Sequence, residues 1–197
     1  MKQNYRPFLL GSRFRIQPPT VSVANDQRLN LLMQRGAFGS GEHETTESCI
    51  EILEQHHFSG KEKILDLGSG TGILSIAALL LGGGRSWCVD IEQQAVDSCR
   101  HNSQLNGVAD QIENFCGSLG QLPESNFNLV LANIYGDILL EVAEDLVDKT
   151  VSGATLLLSG ILWEYNFDVR QKYQRLGCKL ISNRMLDEFS TVLLEKG

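Results

Sequence analysis

The segment at residues 64–75, ILDLGSGTGILS, most constrains what this chain can fold into. A short apolar run ends at glycines in G-x-G-x-G spacing, Gly68, Gly70 and Gly72, and helix-forming residues follow. This order predicts a strand, a loop whose backbone approaches a ligand closely, and a buried helix. The dinucleotide fingerprint would require a glycine where Ile73 stands, and no Gly-Lys-Ser/Thr follows, which excludes a triphosphate loop here.

Strand-like and helix-like segments alternate after this motif. Apolar runs of strand length are RSWCVD, NFNLVLANI and ATLLLSG, with QIENFC weaker, and segments of helical spacing lie between them, DILLEVAEDLVDK being one. Alternation of this kind predicts an α/β fold, with a parallel sheet and helices on both faces. Only a few residues separate CKLISN from FSTVLLEK, so the last strand is expected to turn back antiparallel.

The first 34 residues are harder to assign. FRI and VSV are candidate short strands, and LNLLM is ambiguous between strand and helix. A chain of 197 residues suits one domain, which we expect to consist of a leader and loop at 1–43 and a core at 44–197.

Composition excludes several classes of function. A formal charge of −7 makes nucleic acid an unlikely partner, since such binding depends on clustered Lys and Arg. No apolar stretch approaches the length of a membrane span, so we expect no membrane partner and a cytoplasmic location. Five scattered cysteines without a C-x-x-C pair predict neither disulfides nor a zinc site. In HETTE, Glu47 stands at the second ligand position of H-E-x-x-H, so no metal is expected at His43.

Asp90 ends the second predicted strand about twenty residues after the glycine loop, where a carboxylate can accept hydrogen bonds from both hydroxyls of a ribose. Asp66 is a further polar group at the end of the first strand. The ligand is therefore expected to contain an adenosine-like ribose. The alternative is structural: a tight glycine turn, with Asp90 as the N-cap of the next helix.

Three segments resemble class I methyltransferases that use S-adenosyl-L-methionine. They are D-L-G-S-G-T-G-I-L-S, V-D-I after the second strand and L-N-G-V at 105–108. Three more segments, GAFGSGEHETT, VLANI and LLLSGIL, are similar to the bacterial ribosomal protein L11 methyltransferase (PrmA) family. The resemblance implies a Rossmann-like fold with a seven-stranded, mostly parallel sheet and an antiparallel last strand. Family members carry an N-terminal substrate-recognition domain before the part present here, so the resemblance does not settle the acceptor.

The resemblance also implies roles for individual residues. The three loop glycines are expected to lie under the amino-acid part of the cofactor, with Asp90 at its ribose and Asn133 beside the donor methyl. The predicted cofactor-binding set is Phe38, Thr46, Asp66, Gly68, Gly70, Gly72, Asp90, Ile91, Ser118 and Asn133. Ser118 stands where many related enzymes have an acid that holds the adenine amino group.

RGAFGSGEHETT, at 35–46, is interpreted as a lid or side wall that closes Phe38 and Thr46 against the methionine end of the cofactor and leads into the helix ETTESCIEILEQ. Tyr135 and Trp163 follow strand ends and are candidates for the acceptor pocket or, equally, aromatic anchors for helices. Asp137 is interpreted as a helix N-cap.

Three hypotheses remain open at the level of sequence. The first is a methyltransferase acting on an amine of a protein such as a ribosomal protein, or on another protein or a small molecule. The second is a nucleotide-cofactor oxidoreductase, which the spacing at Ile73 disfavours. The third is a module that binds S-adenosyl-L-methionine without catalysing transfer. The oligomeric state is not predicted.

Overall fold

The computed structural model describes residues 5–22, 27–34 and 43–197. Its strands are β1 Phe8–Leu10, β2 Phe14–Gln17, β3 Leu29–Leu32, β4 Lys63–Leu67, β5 Arg85–Asp90, β6 Ile112–Cys116, β7 Phe127–Asn133, β8 Thr150–Leu162, β9 Cys178–Met185 and β10 Phe189–Lys196. Its helices are α1 Glu44–Gln55, α2 Ile73–Leu80, α3 Gln93–Leu105, α4 Gly136–Glu141, α5 Ala143–Asp148 and α6 Trp163–Arg175.

A seven-stranded sheet in the order β6-β5-β4-β7-β8-β10-β9 forms the centre of the molecule. The strands from β6 to β8 pair in parallel, whereas β10 is antiparallel to both of its neighbours. The predicted Rossmann-like class, including the antiparallel last strand, is confirmed. Parallel strands place their carboxyl ends along one edge, which brings the loops after β4, β5 and β7 together.

Successive side chains of the buried strands belong alternately to two hydrophobic clusters, one on each face of the sheet. Leu129 and Leu131 of β7 belong to the cluster that contains the buried residues of α1 and α2, whereas Val130 and Ala132 belong to the cluster with α4, α5 and α6. Successive side chains of a strand point to opposite faces, so a strand covered on both sides is apolar at every position. This explains why LVLA, at 129–132 in the middle of β7, is apolar at every position.

Two predicted segments differ in the structure. DILLEVAEDLVDK forms two short helices, α4 and α5, which meet at Val142. The strand predicted at ATLLLSG extends in both directions to become β8, because its ends pair with β7 and β10. Asp137 is not the N-cap: α4 begins at Gly136 with Tyr135 as its cap, so Asp137 lies in the first helical turn.

The N-terminal part adds a separate three-stranded sheet, β1-β2-β3. FRI is a strand as predicted, and the ambiguous LNLL segment is a strand because it pairs in parallel with β2. Val21 and Ser22 are outside any strand, and the rest of the VSV segment lies outside the described residues. Phe14, Ile16 and Leu31 are buried in the same cluster as α1 and α2. None of the described helices is long and apolar enough to cross a membrane.

Candidate cofactor and acceptor site

The glycine loop at 68–72 leaves the carboxyl end of β4 with three residues in the left-handed region. The φ angles of Gly68, Gly70 and Gly72 are 68°, 53° and 78°. The N–H of Gly68 donates to the carbonyl of Val89 on β5 at 2.8 Å, which holds the loop against the neighbouring strand end. Left-handed backbone is costly for residues with a Cβ, which explains the run of glycines.

The three glycines face different surroundings. An added Cβ at Gly68 would lie 2.3 Å from Cγ2 of Ile134, and one at Gly72 would lie 2.5 Å from Sγ of Cys99. An added Cβ at Gly70 would meet no atom of residues 5–22, 27–34 or 43–197 within 4 Å. Packing therefore requires glycine at the first and third positions, whereas Gly70 borders the open space in front of the strand ends.

The carboxylate of Asp90 closes one side of this space. Its Oδ2 accepts from the N–H of Gly70 at 2.9 Å, and its Oδ1 accepts from the N–H of Glu92 at 3.0 Å. Each bond uses one acceptor position of an oxygen, so the carboxylate retains capacity for two more donors. The N-cap of α3 is Glu92, so the alternative role of Asp90 as the N-cap of this helix is wrong.

Ile91 and Ser118 flank the same edge of the sheet. Ile91 is 76 % exposed, although it is apolar. The polar groups of Ser118 are hydrogen-bonded within the same turn: its N–H and its hydroxyl donate to Oε1 of Gln121 at 3.0 and 3.2 Å. The expected contacts of both residues with the cofactor stay predictions.

Asp66 lies beneath the glycine loop. Its buried Oδ2 accepts from the N–H and the hydroxyl of Ser75 in α2, at 3.2 and 2.7 Å. Burial raises the pKa of this carboxyl to about 6, and the nearby charge of Asp90 acts in the same direction, while the bonds from Ser75 oppose the rise. The side chain thus ties strand β4 to α2, and a direct contact with cofactor stays a prediction.

Asn133 ends β7 and faces the start of α1. Its Nδ2 donates a hydrogen bond to Oγ1 of the buried Thr46 at 3.5 Å. On β8, an added Cβ at Gly160 would come within 3.1 Å of Oδ1 of Asn133. The structure thus brings together two residues that are 87 positions apart in sequence, and glycine keeps the space beside the amide free.

His43 has a structural role as the N-cap of α1. Its Nδ1 accepts from the N–H of Thr45 at 3.3 Å, and its ring packs edge-on against Phe189 with centroids 5.0 Å apart. The predicted part of the lid that contains Phe38 lies outside the described residues. Among the residues described, no group of three or more His, Cys, Asp or Glu side chains is arranged to hold a metal ion.

Asn102 is a site residue that sequence reasoning missed. It is buried in α3, where its Nδ2 donates to the carbonyl of Thr71 at 3.0 Å and its Oδ1 accepts from the N–H of Gln34 at 2.9 Å. One side chain therefore holds the glycine loop and the residue that precedes the second glycine-rich segment. An amide in the middle of an amphipathic helix was the available signal, since buried polar side chains are hydrogen-bonded.

Comparison with known proteins decides the family. Residues 1–196 match the family described as ribosomal protein L11 methyltransferase (PrmA). The chain belongs to this family. Two proteins named ribosomal protein L11 methyltransferase are similar to most of the chain. The one from Exiguobacterium sp. is 32 % identical over 100 % of this chain and 63 % of its own length. The one from Desulforamulus reducens is 35 % identical over 96 % of this chain and 62 % of its own length. The chain thus spans about three fifths of these relatives.

Solved structures support the fold of this PrmA-family chain. A crystal structure of ribosomal protein L11 methylase from Lactobacillus delbrueckii subsp. bulgaricus superposes with a TM-score of 0.87 at 23 % identity, covering 98 % of this chain and 100 % of that one. An RNA methyltransferase from Salinibacter ruber, in complex with S-adenosyl-L-homocysteine, superposes with a TM-score of 0.62 at 19 % identity, covering 76 % and 90 %.

The two acceptor-pocket candidates in this PrmA-family chain are both exposed. Tyr135 and Trp163 follow β7 and β8, two strands that pair in parallel up to Asn133 and Ser159. The indole N–H of Trp163 donates to the carbonyl of Phe189 at 3.0 Å, so one edge of the ring is fixed while much of the ring faces solvent. A role in acceptor binding stays a prediction.

Proposed function

We propose that this chain is an S-adenosyl-L-methionine-dependent methyltransferase that methylates an amine, of a lysine or of an α-amino group, on a protein. Ribosomal protein L11 is the proposed acceptor, because it appears in the names of the family and of the similar proteins. The proposed location is the cytoplasm. We also propose that residues 1–43 serve as leader and cofactor-covering loop for a core at 44–197.

The single observation that carries the proposal is the bond from the N–H of Gly70 to the carboxylate of Asp90, 2.9 Å long. It places an anionic acceptor group beside a glycine whose missing side chain leaves open space. A ribose that donates two hydroxyls and a ligand chain that passes close to backbone both suit this arrangement. S-adenosyl-L-methionine has both parts, so the residues present fit it.

Further residues are proposed to complete the cofactor site. Gly68 and Gly72 shape the loop under the amino-acid part, and the exposed apolar side chain of Ile91 offers a surface for the adenine ring. Ser118 stands near the adenine position, Asp66 supports the loop from below, and Thr46 and Phe38 are proposed to close the methionine end.

The cofactor supplies a methyl group made electrophilic by its sulfonium, so the main tasks of the protein are alignment and exclusion of water. Asn133 is proposed to position the amine, because its amide Oδ1 can accept a hydrogen bond from an N–H. The amine must be neutral when it attacks. No side chain among the described residues of the site is proposed as a dedicated base, and the proton is proposed to leave to solvent or to a nearby acceptor. Tyr135 and Trp163 are proposed to line the acceptor side.

Two alternatives belong to the same cofactor site. The chain would methylate a small molecule or another protein if the acceptor surface differs from that of the similar proteins. It would be a non-catalytic binding module if it holds the cofactor without transferring the methyl group.

Calorimetric titration with S-adenosyl-L-homocysteine tests the cofactor site. Asp90→Ala is expected to weaken binding by at least about tenfold, because a hydrogen bond to a charged group contributes roughly 1.5–3 kcal/mol. Asp97→Ala on α3 is the matched control, since Asp97 is exposed and pairs with Arg100. Tight binding of NAD without a response to the homocysteine analogue would refute the proposal.

Radiolabelled S-adenosyl-L-methionine tests transfer. Incubation with purified ribosomal protein L11 is expected to label the protein, and mass spectrometry then identifies the methylated amines. Label that enters another protein or a small molecule of a cell extract, and not L11, would select the first alternative. Cofactor binding without label in any fraction would select the second.

A further inference from the structure

Three aromatic side chains are exposed beside the proposed site of transfer. Tyr135 is 62 % exposed, Trp163 54 % and Phe167 61 %. Trp163 and Phe167 are four residues apart on α6 and so lie on the same helical face. Tyr135 follows Asn133 by two residues. We call this surface, made of 134–141, 163–170 and 186–189, the rim.

The rim is fixed by internal hydrogen bonds and packing. The N–H of Trp163 donates to the carbonyl of Glu188 at 3.2 Å, in addition to the indole bond to Phe189, so the start of α6 is held against the turn between β9 and β10. An added Cβ at Gly136 would lie 2.6 Å from Cβ of Tyr165, which shows how closely α4 approaches α6. The indole ring of Trp163, held in this way, loses little conformational entropy when a partner binds.

The same turn is also held from the other side. The carboxylate of Glu44, at the start of α1, accepts from the N–H groups of Asp187 and Glu188 at 3.0 and 3.3 Å. Burial raises the pKa of Glu44, but these main-chain bonds outweigh it and the net pKa is lowered. The helix that carries Thr46 and the helix that carries Trp163 therefore meet at one turn, which connects the rim to the proposed transfer site.

Charge on the rim is strongly one-sided. Its acids are Asp137, Glu141, Glu164, Asp168, Asp187 and Glu188, and all six are exposed. Its single basic residue is Arg170, whose Nε donates to Oδ1 of Asn166 and whose guanidinium lies 6.0 Å from the centroid of the Phe167 ring. A surface of this kind repels nucleic acid and anionic lipid, and attracts cations.

We infer that the rim docks a lysine-rich segment of the protein acceptor, in which one lysine is methylated and its neighbours stay charged. This inference rests on the proposed function. Lysine ammonium groups bind to carboxylates and also to the faces of aromatic rings. A surface that exposes aromatic rings among acidic side chains is therefore complementary to a lysine-rich segment. The methylated lysine must lose its charge to react, and the flanking lysines supply the attraction to the rim.

The decisive experiment measures binding to the protein loaded with S-adenosyl-L-homocysteine, with purified ribosomal protein L11 as the probe. The rim variant is Glu164→Gln/Asp168→Asn. The control is Asp148→Asn/Glu195→Gln, which removes the same charge from exposed acids at the opposite edge of the sheet, near the start of β8 and the end of β10. Melting temperatures of the variants verify that both are folded.

The rim variant is expected to raise the Kd for L11 about fivefold, with a weaker dependence of Kd on salt, while the control changes it less than about twofold. Phe167→Ser is expected to raise the Kd as well, without changing the affinity for the homocysteine analogue. Equal affinities for rim and control variants would overturn the inference. So would self-association in ultracentrifugation that only the rim variant abolishes, because the rim would then be an interface between copies of this chain.

Methyl transfer is measured in parallel on the same proteins, and it distinguishes a failure of the docking surface from a failure of the proposed function. Transfer to L11 that is unaffected by the rim variant refutes the docking surface and leaves the proposed function standing. Binding of L11 at the rim without any transfer refutes the proposed function and leaves the docking surface standing.

Discussion

The side-chain amide of Asn102 donates to the main-chain carbonyl of Thr71 at 3.0 Å, and its oxygen accepts from the N–H of Gln34 at 2.9 Å. Thr71 belongs to the first glycine loop, whereas Gln34 directly precedes the second glycine-rich segment. One buried residue of α3 therefore ties the first glycine loop to the residue that precedes the second glycine-rich segment.

Asn102→Ala is expected to destabilise the protein and to weaken cofactor binding. Thr71 is buried whereas Gln34 is exposed, and losing a hydrogen bond to a buried group costs about 1–3 kcal/mol, so the free energy of unfolding in urea should fall by about 1–3 kcal/mol. Asn106→Ala is the control, because Asn106 bonds to Leu32 and Asn102 but not to the glycine loop. Calorimetry should show weaker binding of S-adenosyl-L-homocysteine only for Asn102→Ala. Equal affinities of the two variants would contradict this role.

Substitutions at Gly70 and Gly72 should separate ligand approach from packing. The methyl group of Gly70→Ala meets none of the residues that the structure describes, so the substitution costs only the left-handed conformation, about 1–2 kcal/mol. The variant should fold yet bind S-adenosyl-L-homocysteine at least about tenfold more weakly. Gly72→Ala adds a clash with Cys99 and should lose about 3 kcal/mol or more of unfolding free energy. Chemical denaturation and calorimetry measure both. Undiminished affinity of Gly70→Ala would show that the ligand lies elsewhere.

Asp66 predicts a dependence of stability on pH. Burial raises its pKa from 3.8 to about 6, so between these values the folded state binds more protons than the unfolded state. The contribution of Asp66 to the free energy of unfolding is therefore greatest below about pH 4 and is lost as pH rises to about 6. Between these pH values the free energy of unfolding changes by about 3 kcal/mol.

Asp66→Asn cannot ionise and keeps an oxygen that accepts from Ser75. Urea denaturation of both proteins at pH 4 and at pH 7 should show that the variant gains stability relative to the wild type as pH rises. A constant difference between them across this range would mean that the pKa of Asp66 is not raised.

Asn133 is expected to affect the rate of transfer more than cofactor binding. Asn133→Leu removes the amide while keeping the number and branching of side-chain heavy atoms, and should lower kcat about 100-fold, because small errors of alignment are costly in group transfer. Thr46→Val, which removes only the hydroxyl at 3.5 Å from Asn133, should have a smaller effect. Steady-state kinetics with labelled cofactor measures kcat, and calorimetry measures the Kd. A proportional loss of cofactor affinity in Asn133→Leu would make it a cofactor-binding residue instead.

Local pattern was sufficient to predict most of the central sheet. The β4–loop–α2 unit and the helix at Glu44–Gln55 were predicted at their observed positions, because apolar periodicity, glycine and short polar boundaries act over a few residues. The break between α4 and α5 and the extension of β8 were not predicted. Both depend on pairing and packing with elements distant in sequence, which local periodicity does not record.

The sequence by itself determined the α/β class, the glycine loop with Asp90 at the next strand end, and the resemblance to a methyltransferase family. The glycine loop and Asp90 are recognised from residue types and their local spacing, whereas the α/β class and the resemblance rest on several such segments along the chain. Only the tertiary structure decided that Asn102 bonds to both Thr71 and Gln34, that Thr46 contacts Asn133, and that acids from α4, α6 and the β9–β10 turn form one rim. Each of these relationships joins residues that the chain separates widely, and only the order of strands in the sheet brings them together.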